Sequence, residues 1–477
     1  MKRNNSDRNS RAAAPWVKWT AIAVCLCAAA GALILLLPGG SKKPAGNPAS
    51  PLNPASYAIS QAIYPETAPH PTDEDWSKDS DAASAAMEAW WNETEVRQAN
   101  QNVYRGALDN FLRRTVPTFL AGEKEDNRVY SPLNVYLALS MLAEITDGES
   151  RAQILDLLGA PDIEAARQRA HALWLAHHRD DGMVTSVLAA SLWLRDDLAF
   201  IPETLDTLAK NYYASSYRGV MGSEELDAAM QSWLNEQTGG LLEQQASGIR
   251  LDPKTVIALA TTIYFRAGWM DDFSEHATAP DVFHAAGGDV TCDYLRRENF
   301  QSTVYGGNGF TALSLPLANG GAAMWIVLPD EGAAPEELVQ SGAAMEFLLA
   351  DRESWQEQGV YLVRLSLPKF DVSSDTDLID GLRALGVTDV LDEDLSDFSP
   401  LTRQADRLFL SQAQHAARVA IDEKGVTAAA FTVLAVARTA LPTGEEYDFT
   451  VDRPFFFAIT DDDGLPTFTG VVNCPAE

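Results

Sequence analysis

Residues 419–441 read VAIDEKGVTAAAFTVLAVARTAL, and no other stretch so narrows what the chain can fold into. Val419 and Ile421 alternate like a half-buried strand, and Asp422, Glu423, Lys424 and Gly425 then make a charged corner with a glycine free to bend. After the corner no charge follows until Arg438 and no proline until Pro442. Ala428, Ala429 and Ala430 favour helix, whereas Val426, Thr427, Thr432, Val433 and Val436 favour strand. Such a segment lacks turn residues yet is too apolar for a comfortable surface loop. On composition alone it is an edge strand, a short alanine helix, or a segment whose small side chains let it slide between existing strands.

The surrounding sequence favours the last. EKGVTAAAFT, followed by VDRPFFFAI and GVVNCP, resembles the reactive-loop hinge and C-terminal signature of the serpins. Glu423, Gly425, Val426, Thr427, Ala428, Ala429, Ala430 and Thr432 fall within that hinge, and Asp452, Arg453, Pro454, Phe455 and Phe457 match the closing strand. NRVYSPLNVYLALSMLAEITDGESRAQILDLLG resembles the N-terminal signature of the family and would put Ser131 at the shutter beneath the main sheet. TVIALATTIYFRAGW, ending at Trp269, resembles the central-strand signature, and LSQAQHAARVAIDEKG would supply the shutter histidine, His415. The family usually has Asn where this chain has Thr261, so the shutter is expected to be looser or partnered differently. The resemblance runs in one order over roughly residues 90–477.

What the resemblance implies is an α+β chain: a large central, mostly antiparallel β-sheet with further sheets, about eight or nine helices, and an exposed reactive loop. It also implies a protein that is not an enzyme. A target serine protease would cleave the loop as substrate, and the cleaved loop would enter the central sheet before the acyl-enzyme hydrolysed, leaving a covalent 1:1 complex. Family spacing puts the scissile bond at Thr439–Ala440, whose small residues suit an elastase-like or subtilisin-like pocket. Arg438 would suit a trypsin-like enzyme instead. A non-inhibitory relative acting as a surface binding module is the alternative. The inhibitor is expected to be a monomer and to need no cofactor.

The N-terminus reads separately. Residues 1–15 are a basic tail, and 16–37 contain an uncharged apolar run from Thr20 to Leu37, roughly 27 Å at the helical rise. Four basic residues precede Trp16, which orients the run with its N-terminus in the cytoplasm. The run is therefore a signal anchor, or a signal peptide if the alanines at its middle are cleaved. Residues 38–83, rich in proline and then in acid, read as an extracellular linker in which Tyr57, Ile59, Ile63 and Tyr64 are an apolar island able to pack back on the domain. Residues 84–477 are the serpin-like domain, held at the outer membrane surface or secreted, as in a prokaryotic tethered or secreted member.

Charge and motif content narrow the function further. The first 43 residues carry +6, leaving −37 on the rest of a chain whose net charge is −31, which disfavours nucleic acid as a partner. Four cysteines are too few for a disulfide framework; Cys292 and Cys474, outside the apolar run, are either a bridge or two separate thiols. No cysteine–histidine cluster has metal-ligand spacing, and no G-x-S-x-G, HExxH, P-loop or G-x-G-x-x-G is present. His178-Arg179-Asp180 mimics a kinase catalytic loop without the partners a kinase needs.

Overall fold

A computed structural model describes residues 53–122, 125–240, 247–318, 322–404, 407–426 and 444–476, all within one compact unit, Ser50–Glu477. Two sheets dominate. The first contains β1 (Ala58–Ser60), β3 (Arg179–Asp180), β4 (Val184–Arg195), β5 (Ala214–Gly219), β6 (Ile257–Gly268), β12 (Asp371–Asp377), β13 (Gln412–Ala420) and β14 (Gly425–Val426). Its order is β1-β5-β4-β6-β13-β12, with β3 paired to β4 and β14 paired to β6. Most of its pairings are antiparallel; β4–β5 and β6–β13 are parallel.

The second sheet contains β2 (Arg128–Tyr130), β7 (Ala279–Ala285), β8 (Gly288–Gly307), β9 (Phe310–Pro316), β10 (Ala323–Pro329) and β11 (Gln358–Pro368). It is completed by β15 (Glu446–Thr450), β16 (Phe455–Thr460) and β17 (Pro466–Val472). Its order is β15-β11-β8-β9-β10-β16-β17-β2, with β7 on β8.

The helices among the described residues number eleven, against the eight or nine expected: α1 (Asp73–Lys78), α2 (Ser80–Tyr104), α3 (Asp109–Phe119), α4 (Pro132–Ile145), α5 (Gly148–Leu158), α6 (Ile163–His177), α7 (Pro202–Asn211), α8 (Glu224–Gln237), α9 (Pro335–Gln340), α10 (Ala343–Leu349) and α11 (Ile379–Ala384). α4 is the sequence VYLALSMLAEI with its flanks, and all fourteen of its residues are buried, as an all-round apolar helix requires. It lies against the face of the first sheet that carries Leu259 and Ile263 of β6 and Leu188 of β4.

Of the helices ahead of α3, α1 and the first four residues of α2 fall where the sequence reads as linker, and the rest of α2 where it reads as domain. From Asn53 onward the described chain lies in the compact unit, and residue 84 lies inside α2. Residues 53–71 do run without α-helix, as their prolines demand, but β1 pairs with β5 and Tyr64 packs against Trp174, His178 and Tyr213. The acidic patch at residues 73–75 is the first turn of α1, where its charges suit the helix N-terminus and Asp75 closes a capping box with Thr72. Gly106, in the left-handed region at φ +69°, separates α2 from α3. Residues 1–52, with the apolar run, lie outside the described residues; among those described, no helix is long and apolar enough to cross a membrane.

Candidate functional site

β6 and β13 share a parallel ladder only from Ala258↔Gln412 to Thr262↔Ala416. Beyond it, Ile263–Gly268 and Ala417–Ala420 are not paired to each other among the described residues. The seam in the middle of the sheet is therefore closed at one end and parted at the other, and the sequence-predicted residues sort themselves onto these two ends.

At the closed end His415 is fully buried. Its Nε2 accepts a hydrogen bond from the Ser131 backbone N–H at 3.0 Å, and the Tyr130 ring stands edge-on to it. Ser131 Oγ in turn donates to the Thr467 carbonyl at 2.9 Å, which joins β13 through Ser131 to β17. Because Nε2 accepts, Nδ1 carries the proton, and it has no hydrogen-bond partner among the described residues. Thr261 sits directly opposite His415 in the ladder, at the position where an asparagine amide would reach this ring. Burial pushes His415 down to about 4, so it is neutral at physiological pH and acts as a strut. A small apolar hollow lined by Leu139, Leu142, Leu259, Thr261 and Ala413 lies under this end.

At the parted end the chain reverses after β13. The Asp422 carboxylate accepts from the backbone N–H groups of Lys424 and Gly425, forming a tight side-chain-closed turn. Trp269, fully buried, clamps the turn: its indole N–H donates to the Asp422 carbonyl at 2.8 Å and its backbone N–H to the Lys424 carbonyl at 2.9 Å. Glu423 accepts from Lys369 Nζ at 3.0 Å and from Thr278 Oγ1 at 2.8 Å. Burial works against its charge, but these hydrogen bonds outweigh it and hold the carboxyl below its ordinary range.

The chain then re-enters the sheet. Gly425 and Val426 form β14, antiparallel to β6 in the register Gly425↔Gly268 and Val426↔Ala267. A Cβ at Gly425 would stand 2.2 Å from the Ala267 carbonyl oxygen, so only glycine fits this approach. Val426 is 1% exposed, with its side chain on the core face of the sheet.

Ser131, Thr261, Trp269, His415, Glu423, Gly425 and Val426 are thus all brought to the seam. Thr427, Ala428, Ala429, Ala430, Thr432, Arg438, Thr439 and Ala440 lie outside the described residues. Sequence reasoning missed Lys369, Thr278 and Thr467. Each acts through a partner distant in sequence, and a lysine or threonine in a strand carries no local sign of such a partner. Cys292 and Cys474 are two free, half-buried thiols. The kinase-like triplet is structural: His178 stacks on Trp174, and Arg179 and Asp180 form β3.

The serine protease inhibitor (serpin) family model matches residues 107–475. The chain belongs to the serpin family. Among curated relatives, putative serpin-Z12 of Oryza sativa subsp. japonica is 29% identical over 378 residues, covering 75% of this chain and 87% of that one. Serpin-Z2B of Triticum aestivum is 28% identical over 73% of this chain and 90% of its own. The thermophilic serpin Tengpin in its native state superposes with a TM-score of 0.69 at 23% identity, covering 78% of this chain and 94% of Tengpin. This serpin accordingly has the family's protease-inhibitor fold, and α1 and α2 precede the matched domain.

Proposed function

We propose that this serpin is a suicide inhibitor of extracellular serine proteases, consumed one for one. The observation that carries the reading is the parted seam with Gly425–Val426 already paired at its mouth, antiparallel to β6. An inserted loop that kept this register would set Thr427 opposite Arg266, Ala430 opposite Ile263, Thr432 opposite Thr261 and Val436 opposite Ile257. The twelve positions from Gly425 to Val436 thus match the twelve residues of β6. On insertion, strand alternation would bring Ala428, Ala430, Thr432, Leu434 and Val436 to the same face as Val426, and none of them is charged, proline or glycine.

The chemistry belongs to the protease. Its serine oxygen bonds to the carbonyl carbon of Thr439, the Thr439–Ala440 peptide bond breaks, and Ala440 leaves as a protonated amine. The loop, its new end held as an ester to the protease serine, would add as a strand and carry the protease on the order of 40 Å along the sheet, at about 3.3 Å per residue. Water would otherwise cleave the ester, so trapping depends on insertion outrunning hydrolysis. The small residues at 437, 439 and 440 fit an elastase-like or subtilisin-like protease, with cleavage after Arg438 by a trypsin-like enzyme second. The apolar run at 20–37 would hold this monomeric inhibitor at the outer membrane surface, or release it if cleaved.

The test mixes the whole chain with an equimolar elastase-type protease and examines a denaturing gel and mass spectra. A stable covalent adduct and a released peptide beginning at Ala440 are expected. A peptide beginning at Thr439 moves the target to trypsin-like enzymes. Cleavage without an adduct overturns inhibition and leaves a binding module.

A further inference from the structure

For a strand to enter between β6 and β13, β6 and everything paired to its far side must move away by one strand spacing, roughly 4.8 Å. That moving block is β6 with β4, β3, β5 and β1. The other side of the seam is β13 and β12, and β2 ties it to the second sheet. The Val129 N–H donates to Ser374 Oγ at 2.9 Å, and Ser131 links His415 to Thr467.

α2 crosses between the two. Its buried residues Ala83, Trp90, Arg97 and Tyr104 recur every seven positions, with Gln101 beside them, giving a narrow seam that lies along α6. Midway along α2, the Trp90 indole N–H donates at 2.8 Å to Asp181. That carboxylate organises the β3–β4 turn by accepting from the Met183 and Val184 N–H groups at 3.0 and 2.9 Å. The Arg179 guanidinium of β3 also lies over the Trp90 ring, 5.5 Å from its centre.

At the end of α2 the partners change sides. Gln101 donates to Asp462, and Arg105 binds both carboxylate oxygens of Asp463 at 2.6 and 2.7 Å, in the turn between β16 and β17 of the second sheet. The hollow that α2 covers is where the two bodies meet, lined by Phe265 of β6 on one side and Thr467 of β17 on the other. Upstream, residues 53–64 fasten the same segment to the outer edge of the moving block through the β1–β5 pairing.

We infer that residues 53–105, N-terminal to the family domain, are a strap joining the moving strands to the second sheet, and that the strap sets the barrier to opening of the central sheet. The inference rests on the loop-insertion reading above. Because the strap resists opening, it slows insertion of an uncleaved loop and keeps the inhibitor in its active form.

The test uses the whole chain in mild detergent and the double variant Gln101→Ala/Arg105→Ala, which releases the second-sheet end, with Trp90→Phe to release the other. Two quantities are read: the rate at which warmed, uncleaved protein loses inhibitory capacity while becoming heat-resistant, and the melting temperature of loop-cleaved protein. Conversion is expected to accelerate roughly tenfold in the double variant, the order set by one buried and one exposed contact. The melting temperature of the cleaved form should stay at the wild-type value. If wild-type protein gains no heat resistance on loop cleavage, insertion is wrong and the strap falls with it. If it does, but the double variant converts at the wild-type rate or loses stability equally in both forms, insertion stands and the strap alone is refuted.

Discussion

The two ends of the β6–β13 seam are made from the same two strands yet are held in opposite ways. The closed end relies on a short parallel ladder and on one neutral histidine that joins β13 to Ser131. The parted end relies on a reversing turn whose carbonyls are clamped by Trp269 and whose acid is anchored by Lys369 and Thr278. One end is held by ladder and strut; the other keeps a two-residue strand in place, which the proposed insertion would extend. A sheet that is to accept a strand needs this asymmetry: uniform pairing would exclude the loop, and a uniform gap would leave ladder groups without partners.

The comparison can be broken most severely at the mouth of the gap. Val426→Arg would force a charge onto the core face beside Ala267, at a site 1% exposed. Insertion should stall, and the amount of inhibitor consumed per protease should rise at least about tenfold as the loop is cleaved without trapping; an unchanged ratio counts against entry at this point.

Acid should attack the closed end next. Burial holds His415 at the closed end, and His178 away from it against Trp174 and Tyr64, at about 4, below the roughly 6.5 of an unfolded histidine. Their neutral forms stabilise the fold fully above pH 6.5, and that contribution is lost as pH falls towards 4, at up to about 1.4 kcal/mol per unit for each. Denaturant unfolding of loop-intact protein across this window should show the decline, and a flat profile would mean that the histidines are solvated. Asp461 works the other way: burial raises it to about 8, so its contribution favours folding in acid and is lost as pH rises through 8.

His415→Ala isolates the strut. It leaves the buried Ser131 N–H without an acceptor, at a cost of roughly 1–3 kcal/mol in unfolding free energy at pH 7, and it should flatten part of the acid slope. Stability equal to wild type would show that the ladder alone closes this end. The smallest effect belongs to Lys369→Ala. Its ammonium is partly exposed and Glu423 keeps Thr278, so a loss within about 1 kcal/mol is expected from the same measurement.

Much of this was legible in the residues. The all-round apolar run of α4, the alternation in β4 and β6, and the Asp422–Gly425 corner each carry a local signature. The family resemblance points to Ser131, Thr261 and His415 at the shutter and to Trp269 at the end of the central strand. What could not be read was partnership across the chain. The apolar island within 38–83 is able to pack back on the domain, but the sequence does not show that Tyr64 does so in an aromatic pocket of Trp174, His178 and Tyr213, more than a hundred residues away. A fragment starting near residue 90, where the resemblance begins, would cut α2 in half.

The sequence by itself determined that α4 is a helix buried all round, that β4 and β6 are strands and that residues 426–436 avoid charge and proline, because these follow from periodicity and side-chain chemistry along the chain. Only the tertiary structure decided that the seam opens at one end, that Gly425 must lack a Cβ because the Ala267 carbonyl passes so close, and that α2 spans two bodies. Those facts depend on distances between residues far apart in sequence, which packing alone sets.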